Sequence, residues 1–158
     1  MAVRISVCSD VLLALFAWFS SGCNQTNPAT DQKVMSVTDA LNSDLSAVDR
    51  IEVQFGDGNR LTVTDEAAIR AIVAPLRNIR VRPSVRTLPE SVGFRFVLHL
   101  HEQGQFRQVS DDFTLNGARF ELADEQADDQ AREWRRLVLR LGRERIPNLL
   151  PGVSAEAE

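Results

Sequence analysis

His99 and His101 stand two residues apart in the run FRFVLHLH at 94–101, where polar and apolar side chains alternate. A period of two marks a β-strand with one dry face, so both imidazoles project from the same wet face, and His-x-His is a spacing that metal sites use. Glu102, Asp111 and Asp112 follow closely enough in sequence to offer oxygen ligands. Two imidazoles are nevertheless a weak match to the three or four ligands of a zinc site, and residues alternating with a core face are polar for that reason alone; no metal is expected. Ser110 beside Asp111 and Asp112 would bring a hydroxyl and carboxylates near the histidines for hydrolysis, but no Gly-x-Ser-x-Gly elbow accompanies them. The least demanding chemistry is electrostatic. Arg95, His99 and His101 in one row, with Arg119 on a later strand, would receive a small anionic ligand.

Arg77, Arg80, Arg82 and Arg86 form a second basic group, interrupted by Pro83 and Pro89. They would suit a cradle for phosphate or carboxylate, but charge and proline also keep an exposed sheet edge from pairing with another chain, and that reading is preferred. Gly56-Asp57-Gly58-Asn59 lacks the repeated acidic positions of a calcium loop and reads as a turn. No glycine-rich phosphate loop or dinucleotide fingerprint is present, so no cofactor is expected. The only cysteines, Cys8 and Cys23, lie at the N-terminus. A domain beginning after them has no disulfide, Cys-based metal site or thiol catalysis. The formal charge of -4 argues against nucleic acid as a partner.

The elements that position these residues follow from periodicity. Ile51, Val53 and Phe55 alternate with Glu52 and Gln54, and after the 56–59 turn Leu61 and Val63 return as a second strand. Thr64 or Asp65 then caps a helix whose Ile69, Ile72, Val73 and Leu76 form one stripe, limited by Pro75. Phe94, Phe96, Leu98 and Leu100 are the core face of the clearest strand. Strands around 106–110, 113–115 and 118–122 follow, the last two joined by Asn116-Gly117. Asp124-Glu125 opens a final helix in which Ala127, Ala131, Trp134, Val138 and Leu141 share a face, Asp128 is placed to pair with Arg132, and Gly142 is the stop. Val37, Leu41, Leu45 and Val48 would line one side of a short helix capped by Thr38. The expected fold is α+β, an antiparallel sheet of about five or six strands with two helices on one face, in ββα-ββββ-α order. Residues 58–68 and 117–127 share G-x-R-[LF]-x-[VL]-x-D-E-x-A without a gap, so both helices should leave the sheet alike.

At the N-terminus, Arg4 precedes an apolar run from Val11 to Phe19, and Ser20-Ser21-Gly22-Cys23 follows. Positive end, short apolar core and small residues are the layout of a signal peptide, and the run falls well short of the roughly 20 residues of a membrane-spanning helix. Ending in Ser-Gly-Cys, the segment resembles that of a bacterial lipoprotein, with Ser20 and Asp10 as its departures from the usual pattern. The resemblance implies cleavage after residue 22, lipid on Cys23 and a membrane-anchored place on the periplasmic side of the envelope. Residues 23–36 would be a flexible tether, 37–147 a single domain, with Ile146 and Leu149 packing at its end, and 148–158 a disordered tail. The expected function is a non-catalytic envelope domain that binds a protein partner or supports an assembly. The alternatives are a small anionic ligand on the exposed sheet face, through Arg95, His99, His101 and Arg119, and a hydrolase using His99 or His101.

Overall fold

Phe55, Phe96 and Trp134, from two strands and the last helix, meet in the centre of the protein and are all but fully buried. The computed structural model describes residues 33–84 and 94–152. Expectations for residues 1–32, 85–93 and 153–158, among them Cys23, Arg86 and Pro89, lie outside the described residues. The elements are β1 (Met35–Ser36), α1 (Val37–Leu41), β2 (Val48–Phe55), β3 (Arg60–Val63), α2 (Glu66–Asn78), β4 (Arg80–Pro83), β5 (Phe96–Glu102), β6 (Gln105–Ser110), β7 (Thr114–Leu115), β8 (Ala118–Leu122) and α3 (Glu125–Arg145). All belong to the unit Asp31–Glu158.

The fold is α+β with one antiparallel sheet, but the sheet has eight strands, not five or six, in the order β1-β4-β8-β7-β6-β5-β2-β3. The additional strands are β1 and β4. β1 has only two residues, too few to show a period of two, and β4 has four and ends on Pro83. The expected tether therefore ends before Met35, because Met35 and Ser36 pair with Val81 and Arg80 of β4. Helix α1 is one turn long, with Ser36 and not Thr38 as its cap in a reciprocal capping box with Asp39. Leu45 lies beyond it in a loop at positive φ, and Val48 already belongs to β2.

Helices α2 and α3 begin alike, as the repeated D-E-x-A pattern requires. Asp65 accepts from Ala68 N and Asp124 from Ala127 N, and an acidic residue sits in each first turn. Neither ends where its local signals predict. Pro75 lies inside α2, where its missing N–H deprives the carbonyl of Ala71; Ala71 is exposed, so water can satisfy that oxygen. Gly142 lies inside α3, because a Cβ there would stand 2.5 Å from Leu149 Cδ2 and 2.6 Å from Phe55 Cζ. The glycine is a packing hollow and not a stop. Leu149 fills it at 3% exposure, and Leu150 N donates to Asp57 Oδ2, so the ordered chain runs past the expected limit of 147.

The strand FVLHLHE keeps its alternation, with Phe96, Leu98 and Leu100 fully buried, and Ile69, Ile72, Val73 and Leu76 of α2 with Ala131, Trp134, Val138 and Leu139 of α3 join them in one hydrophobic core. Phe94, expected on the core face, is instead 40% exposed. It precedes the strand, and its carbonyl passes so close to Gly56 that a Cβ would lie 2.5 Å away. Trp134 is met edge-on by Phe96 at 5.4 Å between ring centres and lies 5.8 Å from Phe113; Phe96 in turn meets Phe55 at 6.4 Å. Phe96→Ala is expected to open a cavity beneath α3 and to cost about 3–5 kcal/mol. Chemical denaturation of variant and wild type measures this, and an unchanged unfolding midpoint would place Phe96 outside the core.

Candidate functional site

The face of the sheet opposite the core is built by alternation. Across it, Thr62 of β3, Glu52 of β2, His99 of β5 and Gln108 of β6 form one cross-strand row, with Arg60, Gln54, Val97 and Ser110 beside it and Arg50, His101 and Phe106 on the other side. Arg50 shares this face by alternation with Glu52 and Gln54, and just before it the register shifts between Val48 and Arg50, a β-bulge at Asp49 that no local pattern announces. Glu52, Gln54, Arg60, Thr62, His99, His101 and Phe106 line an open hollow of about 570 Å³.

His101 is held between opposite charges. Its Nδ1 lies 3.1 Å from an Arg50 guanidinium nitrogen, which can only donate, so in the neutral ring the proton resides on Nε2. Nε2 is 3.3 Å from Glu52 Oε1 but is not aligned for a hydrogen bond, and it is buried with no such partner among the described residues. Arg50 also pairs with Glu52 at 3.5 Å. His99 lies edge-on to Phe106, 6.1 Å between ring centres, and Phe106 is 61% exposed. Arg60, exposed at the end of β3, has no charged or hydrogen-bonding side-chain partner among the described residues.

The four expected ligand residues thus separate. His99 and His101 line the hollow, whereas Arg95 and Arg119 belong to a second cluster around the turn after β6. Arg95 binds Asp111, Nε to Oδ2 at 2.8 Å and backbone N to Oδ1 at 3.1 Å, and Asp111 is 5% exposed. Arg119 stands 3.4 Å from Asp112. Arg135 of α3, unremarked in the sequence, donates to the Asp111 carbonyl at 2.9 Å and lies 5.4 Å from the centre of the Phe113 ring. Burial first, then the charge of Arg95, lowers the pKa of Arg135 from its ordinary value. Phe113 has φ +60° and is 1% exposed. A bulky residue in that region is strained, and packing on Trp134 holds it there.

Three other expectations are resolved by the same contacts. Ser110 Oγ donates to Asp112 and accepts from Thr114 N at 3.0 Å, so the hydroxyl braces a turn and is not hydrogen-bonded to either histidine. Glu102, considered as an oxygen ligand, accepts from Ser43 Oγ and Ala47 N. With Asp111 and Asp112 also engaged, no group of three His, Cys, Asp or Glu converges among the described residues. The arginine stretch is not the protected sheet edge expected of it, because β4 is paired on both sides, by β1 and β8. The alternative cradle is dispersed as well, because Arg77 donates to the Leu45 carbonyl, Arg80 meets Asp124 at 3.4 Å and Arg82 meets Glu121 at 3.7 Å. No described helix is long and apolar enough to cross a membrane. The chain matches no protein-family model, no curated protein and no solved structure.

Asp112 supplies a pH test of the second cluster. Burial raises its pKa, but hydrogen bonds from Ser110 and Thr114, with the Arg119 charge, outweigh that and hold it below the ordinary carboxylate value. A carboxyl lowered in the fold contributes stability above its unfolded pKa of about 3.9 and loses it as pH falls through the folded value. Asp112→Asn is therefore expected to cost about 1 kcal/mol at pH 7, with the difference from wild type closing below about pH 4. Parallel denaturation at pH 7 and pH 3 checks this; a cost unchanged at pH 3 would mean that charge plays no part.

Proposed function

We propose that this chain is a non-catalytic domain of the bacterial envelope, exported by residues 1–22, anchored by lipid on Cys23, that binds a protein partner through the outer face of its sheet. One observation carries the reading: α2 and α3 cover the other face, while the outer face exposes Phe106 beside His99 next to a concave surface. A large aromatic in water beside polar side chains is the composition of a protein-binding centre. On this face Arg50 is paired with Glu52, which lowers the cost of desolvating that pair under a partner. Catalysis is disfavoured because His101 Nδ1 is held by Arg50 and Ser110 is engaged in its own turn.

A second reading, a small anionic ligand in the same hollow, is favoured by Arg60 and by the Nε2 of His101, which has no hydrogen-bond partner among the described residues. In that reading Arg95 and Arg119 have no part, since each is paired with an aspartate.

Two measurements test the proposal. Cys23→Ser should leave the protein unprocessed or release it from the membrane fraction; unchanged mature mass and membrane association would refute the anchor. A photo-crosslinking residue in place of Phe106 should yield one discrete adduct in cells, and the same group at the exposed Arg70 of α2 should not. Phe106→Ala should weaken that partner about tenfold or more. Equal labelling at both positions would remove the outer face as the docking surface, and an inorganic phosphate complex abolished by Arg60→Glu would favour the second reading.

A further inference from the structure

The two edges of the sheet are unlike. At one, β1 is two residues long and runs directly into α1, so little backbone is open. At the other, β3 has four residues, no proline, and among the described residues no strand on its outer side. The ladder determines which groups it presents. Phe55 N donates to Asn59 O at 2.9 Å, so 55 and 59 form a hydrogen-bonded pair, and the alternation of antiparallel ladders makes Val53↔Leu61 and Ile51↔Val63 the next such pairs. The N–H and C=O groups of Arg60 and Thr62 therefore point away from β2, toward solvent.

The geometry points to pairing of β3 with β3 of a second copy of this chain, antiparallel and centred on Leu61. With a two-fold axis there, Arg60 faces Thr62 of the other copy and Thr62 faces its Arg60, so all four outward groups of each strand find partners. The side chains are also self-complementary. Leu61 is half-buried on the core face beside Val53, and its own counterpart would lie directly opposite, completing the dry edge of the core. On the outer face, Arg60 would meet Thr62 of the other copy, next to the copy's Glu52, whose side chain is 47% exposed. An unpaired cation thus lies within one strand's reach of a carboxylate, twice by symmetry. The pairing continues one sheet across both copies and brings the two outer-face hollows side by side, whatever occupies them.

The test uses residues 24–158, which contain the whole unit Asp31–Glu158 and no cysteine. Sedimentation equilibrium should show a dimer that forms with rising concentration. Thr62→Pro removes an N–H that makes no bond among the described residues, and it should weaken the dimer about tenfold or more while leaving the melting curve near that of wild type. Independently, Leu61→Cys should oxidise to a disulfide-linked dimer of folded protein, since a facing non-hydrogen-bonded pair places its Cα atoms about 4.5 Å apart, within disulfide range. Arg70→Cys should stay monomeric under the same oxidation. A wild-type monomer at all concentrations, a dimer unaffected by a folded Thr62→Pro, or equal crosslinking at 61 and 70 would each overturn the inference; should Thr62→Pro not fold, the two cysteine variants decide.

Discussion

The burial of Trp134 is the interaction on which the rest of this structure depends. Its indole touches Phe96 of β5 and Phe113 of the turn after β6, and Phe96 carries the contact on to Phe55 of β2. One side chain therefore ties the last helix to two central strands and to a strained turn. The cost is visible, since Trp134 Nε1 is buried without a hydrogen-bond partner among the described residues, worth about 1–3 kcal/mol. Aromatic surfaces of this size each remove some 150–250 Å² from water, which outweighs one orphaned donor.

Once Phe96, Leu98 and Leu100 are committed to that centre, the pleat leaves no choice for their neighbours. Val97, His99 and His101 must face the other way. The outer face is thus a geometric consequence of the core, and Arg50, Glu52 and His101 meet there across β2 and β5. The same commitment separates the histidines from Ser110, because the turn that Phe113 completes beneath Trp134 draws Ser110 and Asp112 into its own hydrogen bonds. Arg95 and Arg135 then converge on Asp111 from the sheet and from α3. The basic residues that a list of candidates would group together are in this way divided between a bracing cluster and an open hollow.

Edges and ends follow from the same packing. Gly142 and Phe55 leave a space that the backbone beyond α3 fills with Leu149, and the Asp57 turn holds Leu150. Asp57 is exposed, yet its carboxyl pKa is lowered by the Leu150 and Asn59 backbone N–H groups, so the tail and the first hairpin turn stabilise each other. The short β1 and the capping box at Ser36 close one side of the sheet, and β3 remains the open one.

What the amino-acid sequence determined by itself was local. The alternation of 51–55 and 96–101, the apolar stripes of α2 and α3, the Asp65 and Asp124 caps and the Asn116-Gly117 turn all depend on residues within a few positions of one another, and each formed as its spacing requires. The location of both histidines on a wet strand face was legible for the same reason. Only the tertiary structure decided matters that join distant residues. The two-residue β1 exists because β4 is there to bind it, and the bulge at Asp49 exists because β5 sets the register. Gly142 is internal because Leu149 and Phe55 need its space, Pro75 is tolerated because Ala71 faces water, and Arg95 is bound because the turn brings Asp111 beside it. Such contacts depend on which surfaces meet, and no periodicity in the chain encodes that.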